Sequence, residues 1–196
     1  MHPEALEAVA KMMVASGYNP DRASVEIGHP IGLDVGGADV NGTARAVFPD
    51  HIVWFGLDVE PGPGVDFVAD ATNWVCAVPY DVVLCTELLE HVKDWPAVVR
   101  TIWESLAPGG YAFITCAGTD GETARRPHGA RGALDPAPGE WYANVHASLL
   151  LDAIAALGHC PALAFGYSAV EISGGGVTGP VEDNPNPGDC YAWIRK

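Results

Sequence analysis

Between Ile31 and Thr115 the chain alternates short, almost wholly apolar runs with turn-forming or helical stretches, and this alternation narrows its fold more than any other feature. The runs are IGLDV (Ile31 to Val35), IVWFGLD (Ile52 to Asp58), VDFVAD (Val65 to Asp70), YDVVLC (Tyr80 to Cys85) and YAFIT (Tyr111 to Thr115). A strand with one wet face alternates apolar and polar residues. Several of these runs are apolar along their whole length, as expected of strands covered on both sides. Strands of that kind separated by helical patterns predict stacked βαβ units around a parallel sheet, an α/β fold. At 196 residues the chain fits a single domain that buries roughly 70% of the surface its unfolded form exposes.

The helical patterns are equally specific. Leu6, Val9, Ala10, Met13 and Val14 recur at helical spacing from Pro3 to Ser16, and Gly17 with Asn19-Pro20 stops them. Trp95, Val98, Val99, Ile102, Trp103 and Leu106 form one apolar stripe, ended by Pro108-Gly109-Gly110. Val145, Leu149, Leu150, Ile154 and Leu157 mark a third helix closed by Gly158. Two late strands are expected at Ala162 to Tyr167 and Cys190 to Ile194, joined by a Gly/Pro-rich loop. The aperiodic stretch from Ala117 to Glu140 reads as a lid or flexible loop. The expected organisation is therefore an N-terminal helical segment (1–23), a core (24–115), a loop or lid (116–142) and a C-terminal helix with strands (143–196), all in one domain.

Charge limits the partners. Lys and Arg total 10 against 25 for Asp and Glu, a net charge of −15, which argues against general binding to nucleic acid or to an anionic membrane. The acidity is concentrated, with 13 acids and 3 bases between Ser24 and Thr115. No apolar run approaches the roughly 18 to 20 residues of a membrane span, and Glu4, Glu7 and Lys11 interrupt any signal-peptide pattern. The five cysteines contain no CxxC pair, so neither a disulfide framework nor a metal site is expected, and Cys85 and Cys116 read as small buried apolar residues. A cytoplasmic location is the economical expectation. Oligomeric state is left open.

The chemistry concentrates where the strands end. The first run leads into Asp34-Val35-Gly36-Gly37-Ala38-Asp39-Val40-Asn41-Gly42, with a helical segment expected from about Thr43. Glycines at such a strand-to-helix turn let backbone approach a ligand closely. The second run ends in Asp58-Val59, at the distance where doubly wound folds place an acid that accepts both hydroxyls of a ribose. The third ends in Asp70-Ala71 and the fourth in Thr86-Glu87, so all four ends fall on one edge of the sheet.

These residues resemble the class I S-adenosylmethionine-dependent methyltransferases. The likeness covers about Ser24 to Thr115 and is most specific in YDVVLCTELLEHVKDWPAVVRTIWESLAPGGYAFIT. It implies a doubly wound, Rossmann-like sheet of seven strands, mostly parallel, with the last strand (Cys190 to Ile194) antiparallel, and S-adenosylmethionine as cofactor. By position, Asp34, Gly36, Gly37, Asp39, Asn41 and Gly42 would hold the methionine part, Asp58 and Val59 the ribose, and Asp70 and Ala71 the adenine. Thr86 and Glu87 would line the reacting centre. The usual acid-x-Gly-x-Gly-x-Gly turn is altered, because Ala38 and Val40 occupy the second and third glycine positions; Asp39, Asn41 and Gly42 are expected to supply another turn.

A sulfonium methyl is already activated, so alignment of the nucleophile is the main task, and only a protonated nucleophile needs a base. His91 and Glu87 are the catalytic candidates, with His128 and His146 behind His91. Arg125, Arg126, His128 and Arg131 read either as a solvated loop or as a clamp for an anionic group on the acceptor. Trp141 and Tyr142 either wall the acceptor pocket or anchor the loop. A small or sugar-like acceptor is favoured over nucleic acid. The competing classes are a cofactor-binding protein without turnover and, disfavoured by the missing GxGxxG, a nicotinamide-dependent oxidoreductase.

Overall fold

The computed structural model describes residues 3–21, 29–118, 127, 129–130, 133–158, 163–165, 169–173, 176–181 and 189–196. Three helices are present among them: α1 (Pro3–Ser16), α2 (Trp95–Ser105) and α3 (Ala147–Ala155). The strands are β1 (Ile31–Val35), β2 (Val53–Asp58), β3 (Phe67–Val68), β4 (Tyr80–Thr86), β5 (Leu106–Ala117), β6 (Leu163–Phe165), β7 (Ala169–Ser173), β8 (Gly176–Val181) and β9 (Asp189–Arg195). They form one sheet in the order β3-β2-β1-β4-β5-β9-β6-β7-β8.

The first five strands pair in parallel, and from β5 onward each pairing is antiparallel. The fold is thus α/β and Rossmann-like, a parallel half with an antiparallel edge, as expected. The described strands number nine and not seven. The two extra strands, β7 and β8, pair as a hairpin where a Gly/Pro-rich loop was expected. Backbone pairing holds such a hairpin; β7 is only five residues long, and β8 carries two glycines and a proline that read as a loop. The expected helical segment after Thr43 is also shorter, a single 3-10 turn at Ala44–Val47.

The alternation of β4 and β5 sorts the core into two layers. Val82, Leu84, Tyr111 and Phe113 face Ala8, Val9 and Met12 of α1 on one side of the sheet. Val83, Cys85, Ala112, Ile114 and Cys116 pack on the other side with Val98, Val99 and Ile102 of α2 and with Leu150 and Ile154 of α3. Both faces of the sheet are covered, which explains the uninterrupted apolar runs. Cys85 and Cys116 are buried in this core as small apolar residues, as their sequence setting suggested. At the start of β4, buried Asp81 accepts a hydrogen bond from the Ile31 N–H (2.9 Å) and ties down the start of β1. The order of the parallel strands reverses between β1 and β4, and open α/β sheets bind ligands at the carboxyl ends beside such a reversal.

Candidate functional site

The turn after β1 folds back on the end of β2. Gly36, at φ +77°, and Gly37 both donate to the Leu57 carbonyl, at 2.8 and 3.1 Å. A Cβ on Gly36 would stand 3.2 Å from the Leu88 side chain, a tight contact, and the positive φ itself favours glycine here. The Ala38 N–H reaches Asp58 Oδ2 at 3.4 Å, and the Asp39 N–H donates to the Pro63 carbonyl at 2.8 Å. Asp39 Oδ1 then accepts from the Gly42 N–H (2.9 Å), with Gly42 at φ +89°. Thr43 caps the following 3-10 turn by accepting from the Arg45 N–H at 3.2 Å. Asp39 and Gly42 therefore build the local turn that stands in for the missing glycines.

Asp34 lies behind this turn. It is 3% exposed, and its Oδ2 accepts from Arg45 Nε at 2.9 Å and from Thr43 Oγ1 at 3.1 Å. Burial pushes its carboxyl above the usual carboxylate range; Arg45 and Thr43 draw it back in part, and the Asp58 charge adds to the rise.

A cleft opens at the carboxyl ends of β1, β2 and β3. Gly36, Asp58 and Val59 form one wall, Ala69, Asp70 and Ala71 a second, and Leu88, Val92 and Val98 a largely apolar third. Asp58 Oδ1 accepts from the Glu60 N–H (3.1 Å), while Asp70 Oδ1 accepts from the Thr72 N–H and Oγ1 at 2.8 and 2.7 Å. Of the strand-end residues singled out in the sequence, Gly36, Asp58, Val59, Asp70 and Ala71 meet in this cleft. Asp34, Gly37, Asp39, Asn41, Gly42, Thr86 and Glu87 do not line it. The sequence reading missed the apolar wall and Arg45. Leu88 and Val92 stand four residues apart in the Leu-Leu-Glu-His-Val stretch, a spacing that could have revealed them.

Beyond the cleft, β4 ends in Thr86 and Glu87. Glu87 is at φ +53°, the non-glycine residue in the left-handed region among those described. Its N–H donates to the Thr115 carbonyl and its Oε1 accepts from Thr115 Oγ1, both at 2.9 Å. Non-glycine residues held in this region concentrate at functional sites.

The segment after the long loop docks beside this strand end. The Ala143 N–H donates to the Glu90 carbonyl and the Val145 N–H to the Ala117 carbonyl, both at 2.8 Å. Tyr142 packs edge-on against the His91 ring (5.2 Å, 77°), and Lys93 Nζ lies 5.6 Å over the Trp141 ring, which is 43% exposed. His146 caps α3 by accepting from the Ser148 N–H at 3.2 Å. Arg125, Arg126, His128 and Arg131 lie outside the described residues. No helix among the described residues is long and apolar enough to cross a membrane.

A family model described as a methyltransferase domain matches residues 7–153. A ubiquinone biosynthesis O-methyltransferase from Pseudomonas entomophila is 34% identical over 84 residues, covering 43% of this chain and 35% of that protein. One from Escherichia coli is 32% identical over 123 residues, covering 55% of this chain and 50% of its own length. The chain thus spans half or less of these curated relatives. Among solved structures, 1,6-didemethyltoxoflavin-N1-methyltransferase from Burkholderia thailandensis, with bound 1,6-didemethyltoxoflavin and S-adenosylhomocysteine, superposes with a TM-score of 0.59 at 17% identity, covering 98% of this chain and 78% of that one. The N-methyltransferase NodS from Bradyrhizobium japonicum, in complex with S-adenosyl-L-homocysteine, gives 0.56 at 16% identity, covering 98% and 86%. At these identities the structural likeness is one of fold.

Proposed function

The chain belongs to the methyltransferase domain family, and from that premise we propose that it transfers a methyl group from S-adenosylmethionine to a small-molecule acceptor. The observation that carries this reading is the cleft in which the Gly36 turn, the Asp58 carboxylate and the Asp70-Ala71 strand end face an apolar wall.

The residues present fit an adenosyl group. Gly36 lines the cleft with bare backbone, where a ligand can come close to the main chain. A carboxylate offers about four lone-pair sites. Asp58 presents such an acceptor-only group at the cleft wall, a chemistry suited to the two hydroxyls of a ribose. Val92, Val98 and Leu88 offer the apolar face that a flat heterocycle needs, with Asp70 and Ala71 at its edge. When bound, S-adenosylmethionine supplies a methyl group on a positive sulfonium, ready for displacement by a nucleophile.

The protein's own work is placement. Glu87, fixed by Thr115, holds a carboxylate at the strand end on the methionine side, and Thr86 precedes it. His91, braced by Tyr142, takes the proton when the acceptor is a hydroxyl. Trp141 and Tyr142 wall the acceptor side, and Arg125, Arg126, His128 and Arg131 supply a clamp for an anionic acceptor group. The 1,6-didemethyltoxoflavin bound to the Burkholderia enzyme and the ubiquinone biosynthesis relatives favour a small acceptor.

Calorimetry with S-adenosylmethionine, S-adenosylhomocysteine and NAD tests the reading. Binding of the two adenosyl ligands and not of NAD is expected; NAD binding alone overturns it. Incubation with methyl-labelled cofactor and fractionated small-molecule extract then separates turnover from binding without transfer.

A further inference from the structure

Arg45 is a cation enclosed by the most acidic part of the chain, and its guanidinium divides its donors among three segments. Nε donates to Asp34 Oδ2 at 2.9 Å, at the end of β1. Nη2 donates to the Gly37 carbonyl at 3.3 Å, in the turn that follows, and to the Gly64 carbonyl at 2.9 Å, in the connection between β2 and β3. Its side chain is 16% exposed and that of Asp34 5%.

Two glycines bring together the segments it joins. A Cβ on Gly37 would stand 2.6 Å from the Asp34 carbonyl oxygen and 2.8 Å from Arg45 Nη2, and one on Gly56, inside β2, would collide with the Gly64 carbonyl oxygen and stand 2.7 Å from the same guanidinium nitrogen. Both glycines thus permit the close backbone approach on which the bonds of Arg45 depend. Asp34 likewise faces Arg45 and Thr43. Where the related turn has further glycines, this chain has Ala38 and Val40, and a cross-link from Arg45 spans the same stretch.

We propose that Arg45 is a positioning residue for the cofactor: by tying Gly37 and Gly64 to Asp34, it holds the Ala38 N–H on Asp58 and Gly36 against Leu88, so that the ribose-binding carboxylate and the mouth of the cleft are set before the cofactor arrives. This rests on the reading of the cleft as an adenosyl site. A planar fork with several fixed donors suits three acceptors in different directions, whereas a lysine ammonium is a point charge on a flexible stem. Preset geometry raises affinity by removing the ordering cost from binding.

The groups that face Asp34 are Arg45 and Thr43 from the turn, Asp58 from β2 and Cys85 from β4. Cys85 stays a neutral thiol, since burial pushes it well above its ordinary range and the nearby acids add to the rise. With Arg45 removed, Asp34 loses its cation and its carboxyl rises further. A larger share of it is then neutral at a given pH, and the part that ionises as pH increases is an uncompensated buried anion.

The experiment is calorimetric titration of the wild type, Arg45→Gln, Arg45→Lys and the double variant Asp34→Asn/Arg45→Gln with S-adenosylhomocysteine, from about pH 6 to about pH 8, with thermal melts beside each. Arg45→Gln is expected to bind about tenfold more weakly or worse, with its deficit against the wild type growing as pH rises. The double variant should show a deficit that no longer changes with pH. Arg45→Lys, which keeps the charge and loses the fork, should retain a cooperative melt and bind about three- to tenfold more weakly; it decides the matter if Arg45→Gln does not fold. Variants that melt lower but bind within about twofold of the wild type would make Arg45 a stabilising residue only and overturn the proposal. A wild type that binds no adenosyl ligand overturns the adenosyl reading itself, and the proposal with it.

Discussion

At the level of single residues, Asp58 carries the heaviest prediction. Asp58→Ala removes the charged acceptor proposed for two ribose hydroxyls, and hydrogen bonds to charged groups are worth about 1.5–3 kcal/mol. Calorimetry should therefore show S-adenosylhomocysteine binding weakened by about ten- to a hundredfold, with a smaller loss of melting temperature because the Ala38 and Glu60 N–H groups lose their acceptor. His91→Gln should lower kcat for a hydroxyl acceptor by about 10²–10⁴-fold and leave adenosyl binding intact; equal loss of binding would mean that His91 only packs against Tyr142. The place of Asp58 at the cleft was legible in the sequence because it closes the second apolar run, and strand ends gather at one edge of a parallel sheet. Arg45 was not, because its three acceptors are 11, 8 and 19 residues away and share no spacing rule.

Elements tell a different story, since periodicity reports burial and says little about backbone pairing. The stripe on α2 placed Val98, Val99 and Ile102 correctly in the core, and all three are buried. Ile102→Ala should cost about 2–5 kcal/mol in urea unfolding through the cavity it leaves, with the denaturant slope unchanged. Asp81→Ala should cost about 1–3 kcal/mol, because the Ile31 N–H at the start of β1 is left without its acceptor in a dry setting. The hairpin of β7 and β8 escaped notice for the converse reason: its strands are held by ladders that composition does not encode. Likewise the stretch after Thr43 carries a cap but no apolar stripe, and it forms one 3-10 turn.

On the scale of the whole molecule, the net charge of −15 gains a location. Several of the acids sit at strand ends around the cleft, and two of the three bases of the core, Arg45 and Lys93, lie at the same sheet edge. An acidic rim favours a cationic cofactor and repels polyanions, so electrophoretic shift assays at physiological salt should detect no binding to duplex DNA or RNA. S-adenosylhomocysteine at a hundred times its dissociation constant should stabilise the fold by about 2.7 kcal/mol, which for a domain of this size is a rise in melting temperature of roughly 5–11 °C; no shift would contradict the proposed site. By itself the sequence determined the layered α/β class, the buried stripe of α2, and the acids and glycines at the carboxyl edge, because burial periodicity and turn chemistry are local properties; the buried face of α1 is Ala5, Ala8, Val9 and Met12, and Val14 of the expected stripe is exposed. Strand order, the late hairpin, the apolar wall of Leu88 and Val92, and the bond of Asp34 to Arg45 were decided only by tertiary structure. Each depends on which distant segments come within a few ångströms of one another, and no local pattern carries that distance.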